Sequence, residues 1–467
     1  MDPTRVSNGT ATCGQRRLPV VDVTSFVSLW LLLVFAIPSS LVVGGFGAIG
    51  QPGLLFSLIA PAWWCASRFV PSIQSDQEFQ PIRLALLLYL AYMVASFGSA
   101  GTRSLTRLEI DNSTRELIRL VTLTGLALLV ADGMRDLERL RTLLARVALL
   151  AGAFAVLGIA QFFAGEFLMP TPRWLSGQPP SIGTRAGLAR PQGTARHPIE
   201  FAVVVAAMLP LSIHFFLYPR KRNRRVAAAV GVVLLLLAVP VSLSRTGVVS
   251  LAAALFVLGL GWSWRRRLNG LLLFLLAIPM ISAAAPGVLG VMVGLFTNVD
   301  QDFSIQARLS RTSAVMAIVR ERPWFGLGFG TWSSDGEFLL DNQIWFSLLE
   351  TGYVGLTLTI LLPILAAGLA ISPGNGPATT EETRHLGFAI AGSIAGLSIS
   401  MITFDAFFYR ILTSLLFLLI GAAGALWRFT RIETAPASPG LWRSGRQSPL
   451  PADLPTHPNR LPHRSLP

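Results

Sequence analysis

The sequence predicts an all-α integral membrane protein, and three observations carry that expectation. Apolar residues make up 52% of the 467 and charged residues only 13%, about half the charged share of a soluble domain. Mean hydropathy is +0.59. Mostly apolar stretches of roughly 20 residues, the length that crosses a hydrocarbon core, recur along the chain. Residues 300–355 form one long polar interruption that runs into a further apolar stretch.

By that ruler the spans fall at 24–44, 53–70, 83–98, 116–130, 143–164, 199–218, 226–243, 248–262, 268–295, 344–371, 385–404 and 411–427. This gives about twelve transmembrane helices, the shortest near 116 and 248. The first stretch has no small-residue cleavage site and reads as an uncleaved helix. Residues 1–23 are then an amino-terminal tail and 24–430 the membrane domain, with an outer-face loop at about 296–343 carrying the chemistry. Residues 431–467 are rich in Pro, Ser and Arg without hydrophobic period, the composition of a disordered tail.

Charge sets the orientation. The net charge is +14, and Lys221 is the only lysine. Residues 220–225 and 264–267 are the densest cationic clusters beside spans, which places both in the cytoplasm. Counting outward puts 135–141, 373–384 and both tails on that side. The loops 165–198 and 296–343 and the turn at Ser244-Arg245 fall on the outer face. Those outer segments hold many arginines, either from arginine-rich base composition or to bind an anion at the outer leaflet. A basic surface suits anionic membrane lipids or phosphate-bearing substrates. Cys13 and Cys65 form no disulfide or metal framework, and the five histidines show no ligand spacing. Neither a metal, another cofactor nor a nucleic acid is expected.

Four places could carry chemistry. Arg245 sits in a short turn at the membrane boundary, where an unpaired charge costs a few kcal/mol; it either snorkels to the interface or faces a polar cavity. Arg190 precedes Gly193 and the Pro198 helix start, a combination suited to a phosphate-facing rim. Arg308 and Arg311, three apart before a helical segment at 312–319, would share one face and could grip phosphate oxygens bidentately. Asp341-Asn342 opens the 344–371 span, as a helix cap or as a partly desolvated base. Glu350, two turns further in, is an intramembrane acid and therefore a functional candidate. Asp405 and Arg410 read as a pair at an outer hairpin. Glycines 326, 328 and 330 follow no strand, so they are not a nucleotide loop.

In order, Arg190-Pro-Gln-Gly with His197-Pro198, Ser244-Arg245, Arg308 with Pro323-Trp-Phe-Gly-Leu-Gly, and Asp341-Asn342 with Gly352 and Gly355 resemble the O-antigen ligase and O-antigen polymerase superfamily of bacterial envelope glycosyltransferases. Asp341 onward reproduces the ligase spacing H-[NSQ]-x9-G-x-x-G with Asp in place of His. The resemblance implies a C-type glycosyltransferase of the bacterial inner membrane that uses a polyprenyl-linked glycan donor, a glycan or glycolipid acceptor and no metal. It implies Arg245 and Arg308 as the donor-phosphate clamp, to which the positions of Arg190 and Arg311 add further candidate phosphate contacts. It places Asp341 where the catalytic histidine stands, with Asn342 in support and Glu350 and Gly352 behind. A carboxylate can serve as base but repels a diphosphate, so the donor could be a monophosphate. The alternatives are a polysaccharide polymerase and, from another class, a transporter or flippase of an anionic glycolipid.

Overall fold

The computed structural model describes residues 22–69, 79–169, 172, 174–177, 181–297, 313, 315–332, 340, 342–372 and 379–434. The chain runs through α1 (Val23–Ala36), α2 (Pro52–Ser57), α3 (Ile59–Phe69), α4 (Pro81–Ala100), α5 (Arg107–Gly133) and α6 (Leu137–Ala164). It continues through α7 (Pro198–Leu217), α8 (Arg222–Val241), α9 (Arg245–Leu260), α10 (Trp264–Ala284) and α11 (Val288–Thr297). After a short helix α12 over residues 315–321 come α13 (Gln343–Ile371), α14 (Glu381–Ile399) and α15 (Arg410–Thr434). Among the described residues, strands are confined to two small antiparallel pairs, β1 (Val42–Val43) with β2 (Leu175–Ser176) and β3 (Gly183–Arg185) with β4 (Leu188–Arg190).

Every apolar stretch of the sequence is helical, yet among the described residues eight helices are long and apolar enough to span a membrane: α4, α6, α7, α8, α10, α13, α14 and α15. The chain is an all-α membrane protein. The expected spans differ from the helices where local chemistry intervenes. The 24–44 span ends at Ala36, short of Pro38. The 53–70 span breaks into α2 and α3. The 268–295 span splits at Pro286-Gly287, where Gly287 takes φ +87°, a conformation open to glycine and ill-suited to other residues. The 116–130 span begins a turn and more earlier, because Thr106 and Glu109 form a capping box that starts α5 at Arg107.

α7, α14 and α15 are buried over most of their length, whereas α10 is almost wholly exposed and apolar all round, as a lipid-facing helix must be. Between helices in lipid the hydrophobic effect supplies no attraction, so close packing of small residues and polar contacts must do so. Gly247 of α9 accordingly lies on Ala202 of α7, and Gly396 of α14 on Ala254 of α9 and Ala207 of α7, so closely that an added Cβ would sit 2.7 Å from Ala202 and 3.0 Å from Ala254.

Polar contacts fasten the two ends of the bundle. At one end Arg141 and Arg220 share Glu382, Arg266 pairs with Glu381 at 2.7 Å, and Arg68 and Arg83 converge on Asp132. At the other, Ser39 N–H donates to Thr194 O at 2.8 Å and Arg410 Nη1 to Ser39 O at 3.2 Å. Arg185 Nη1 reaches Leu243 O at 2.8 Å there. This second end holds every described candidate residue.

Candidate functional site

Asn342 is the cap of α13: its Oδ1 accepts from Ile344 N at 2.8 Å, and its Nδ2 donates to Ile402 O at 2.8 Å. Gln343 adds two latches to the same turn between α14 and α15, donating its N–H to Phe404 O at 3.1 Å and accepting from Phe407 N at 2.9 Å. The start of α13 is thus bolted to the 400–409 turn. Asp341, directly before the cap, lies outside the described residues, as do Arg308 and Arg311.

Two turns later α13 breaks at Gly352, with φ 65° and ψ −169°. A break frees carbonyls that a continuous helix would use internally. The loop after Pro323 takes them: Leu327 N donates to Leu349 O at 3.0 Å, Gly328 N to Glu350 O at 2.9 Å, and Tyr353 N returns a bond to Pro323 O at 2.8 Å. Ser96 and Tyr92 of α4 clamp the same carbonyl ladder, with Ser96 Oγ donating to Phe325 O at 2.9 Å and the Tyr92 hydroxyl to Thr351 O at 2.8 Å. The glycine set is therefore a backbone-to-backbone docking surface. A Cβ on Gly326 would lie 2.4 Å from Glu350 C, and one on Gly352 would lie 2.3 Å from Trp324 O. Gly352→Ala is expected to lower stability by about 3 kcal/mol or more, from the strained backbone alone about 1–3. Gly368→Ala, in the same helix with nothing within 4 Å, is expected to be neutral or slightly stabilising. Thermal denaturation of both in detergent checks this contrast; equal melting temperatures would contradict it.

Glu350 is 4% exposed, and its carboxylate accepts from Trp332 N at 3.0 Å. It thus anchors the end of the glycine loop while lining a cavity of about 610 Å³. Four guanidinium groups line that cavity: Arg115 and Arg119 from α5, Arg196 from the loop before α7, and Arg410 at the start of α15. The acids Glu116, Glu350 and Asp405 share it, as do Leu340 and Gln343.

Arg190 and Arg245 are not in that lining. The β3–β4 hairpin, with Gly183 opposite Arg190, carries Arg190 beside Arg185. Burial first, and Arg185 second, push the Arg190 guanidinium down to about 10. Arg245 opens α9 behind its cap Ser244 and donates Nη1 to Leu295 O at 3.2 Å, joining α9 to α11. Arg185 Nη1 on Leu243 O brings the hairpin to the α8–α9 turn that precedes Arg245.

His197 is the cap of α7, its Nδ1 accepting from Ile199 N at 3.1 Å. Burial, then Arg190 and Arg185, push its imidazole down to about 4. An unfolded histidine protonates near 6.5, so His197 leaves stability untouched above about pH 6.5 and erodes it as pH falls toward about 4. The melting temperature of His197→Asn, which keeps a good cap, is expected to fall less between pH 7 and pH 4 than that of the wild type. An identical fall in both would refute the assignment.

Sequence reasoning passed over Arg115, Glu116, Arg119 and the role of Arg196. The available signal was three charged residues at i, i+1 and i+4, directly before the apolar run that opens at Leu120, where they share one helix face.

Residues 230–360 match the family model for O-antigen ligase. This segment, somewhat over a quarter of the chain, is similar to the O-antigen ligase/polymerase superfamily. No curated protein matches the chain. The O-antigen ligase segment covers Arg245, Arg308, Arg311, Asp341, Asn342, Glu350 and Gly352. Arg190 and the α5 and α15 walls of the cavity lie outside it.

Proposed function

We propose that the protein is a ligase-like glycosyltransferase of the bacterial inner membrane, working at the outer face. It moves a glycan from a polyprenyl-phosphate or polyprenyl-diphosphate donor to an envelope acceptor. The observation that carries this reading is the O-antigen ligase match over the segment holding Arg245, Arg308 and Asp341. The arginine-lined cavity at the start of α13 supports it. Asp341 takes the proton from an acceptor hydroxyl; the oxygen attacks the anomeric carbon from the face opposite the leaving group and inverts it. The bond from that carbon to the phosphate oxygen breaks, and the electron pair stays on the phosphate. Arg245 and Arg308, with Arg190 and Arg311, compensate the charge that develops there, so the leaving group needs neither a metal nor a proton. Asn342, as cap and as latch to Ile402, fixes the start of α13; Glu350 and Gly352 keep the supporting loop in place.

The test uses the purified protein with a synthetic polyprenyl-linked glycan and an acceptor. Release of polyprenyl phosphate or diphosphate that is lost in Arg308→Ala supports the transferase. Products carrying many repeat units would place it on the polymerase branch. Movement of the lipid across liposomes without any release would overturn the proposal.

A further inference from the structure

The cavity gathers cations from three parts of the chain that share no local sequence. Arg119 donates to Phe407 O and pairs with Glu116 at 3.0 Å. Arg410 holds Ser39 O, and both Arg119 and Arg196 lie within electrostatic reach of it. Arg196 lies over the Phe408 ring at 4.5 Å, and its guanidinium makes no hydrogen bond or ion pair with a described residue. Arg115 stands one turn from Arg119 on the same helix, a spacing that shares a face. Holding like charges together in a partly buried cavity is unfavourable unless an anion joins them. Nearby acids answer this only in part: Glu116 is paired with Arg119, Arg115 with Asp111 at 4.0 Å, Glu200 acts on Arg410 and Asp405 shares the lining. The Glu350 carboxylate is turned onto Trp332 N, and none of these acids pairs with Arg196 among the described residues.

We propose that Arg119, Arg196 and Arg410, with Arg115 beside them, form a phosphate-binding subsite separate from Arg190 and Arg245. Guanidinium groups converging from different elements suit the several oxygens of a phosphate better than a single carboxylate. Phe408 positions Arg196 by holding its plane across the ring. The subsite deepens the transferase reading and depends on it only for which substrate, donor or acceptor, brings the phosphate.

The experiment is calorimetric titration of the full-length protein in detergent with inorganic diphosphate, followed by steady-state kinetics. Arg196→Gln is expected to weaken one binding event about tenfold or more, Arg196→Lys less, and Phe408→Leu to weaken it in part. Arg245→Gln is expected to leave that event in place, as is Arg384→Gln at the opposite end of the bundle. Arg115→Gln, on a partly exposed turn, carries the same test should Arg196→Gln fail to fold. Wild-type diphosphate affinity in both Arg196→Gln and Arg115→Gln would overturn the proposal. In the kinetic arm a raised KM for the lipid-linked donor alone assigns the phosphate to the donor, and a raised KM for the acceptor alone assigns it to the acceptor. Diphosphate binding that depends on Arg196 in a protein without transferase activity would uphold the subsite while removing the proposed reaction.

Discussion

Replacing Asp341 with alanine is expected to slow glycan transfer by about 10²–10⁴-fold, the usual contribution of a positioned general base. The loss should be one of chemistry and not of folding. The cap of α13 is Asn342, and the latches to the 400–409 turn come from Asn342 and Gln343. Removing the preceding carboxylate therefore uncaps nothing. Asp341→Asn keeps the size and cannot take the proton, so it should be as impaired as alanine. Asp341→His restores a base, and a neutral imidazole does not repel a phosphate, so it should recover part of the rate. The measurement is the initial rate of polyprenyl phosphate or diphosphate release beside the melting temperature of each variant. An alanine variant within a fewfold of wild type, with an unchanged melting temperature, would remove Asp341 from the mechanism.

The second large effect is on stability. Glu200 is fully buried in the first turn of α7. Its Oε2 accepts from Arg196 N at 3.0 Å, and its Oε1 from Ile411 N at 2.8 Å and Leu412 N at 3.4 Å. Ile411 and Leu412 belong to the first turn of α15, whose amides have no partner within their own helix. One carboxylate on α7 thus caps a helix more than 200 residues away. Glu200→Ala strands these buried donors at about 1–3 kcal/mol each, and a total near 3 kcal/mol or more is expected. Glu200→Gln keeps one acceptor oxygen and should fall between. Both variants should also weaken transfer, because Arg196 and Arg410 flank the amides that Glu200 holds. Thermal melts in detergent decide it: an alanine variant melting within a degree or two of wild type would refute the capping role.

Much of this was legible in the chain itself. Asp and Asn before an apolar run announced a cap, and Asn342 is that cap; Pro198 and His197 announced the start of α7. Glycines 326, 328 and 330 excluded a nucleotide loop without saying what they pack against. The structure supplies the partner: the loop after Pro323 seats on the carbonyls released by the break at Gly352. The single span expected over 268–295 failed because hydropathy averages across Pro286-Gly287 and does not register that the backbone turns there.

The sequence by itself determined that this is a helical membrane protein, where most of its helices fall and which family its 230–360 segment resembles. Those are properties of run length, capping residues and ordered motifs, all read within one stretch of chain. Only the tertiary structure decided which arginines meet. Arg119, Arg196 and Arg410 come from α5, the loop before α7 and α15, and share one cavity, while Arg245, expected as a clamp with Arg308, turns to Leu295 of α11. The reason is physical: lipid-exposed apolar faces are nearly interchangeable, so small-residue contacts and buried polar latches such as Glu200 set the helix order. Those latches join residues that no local pattern connects.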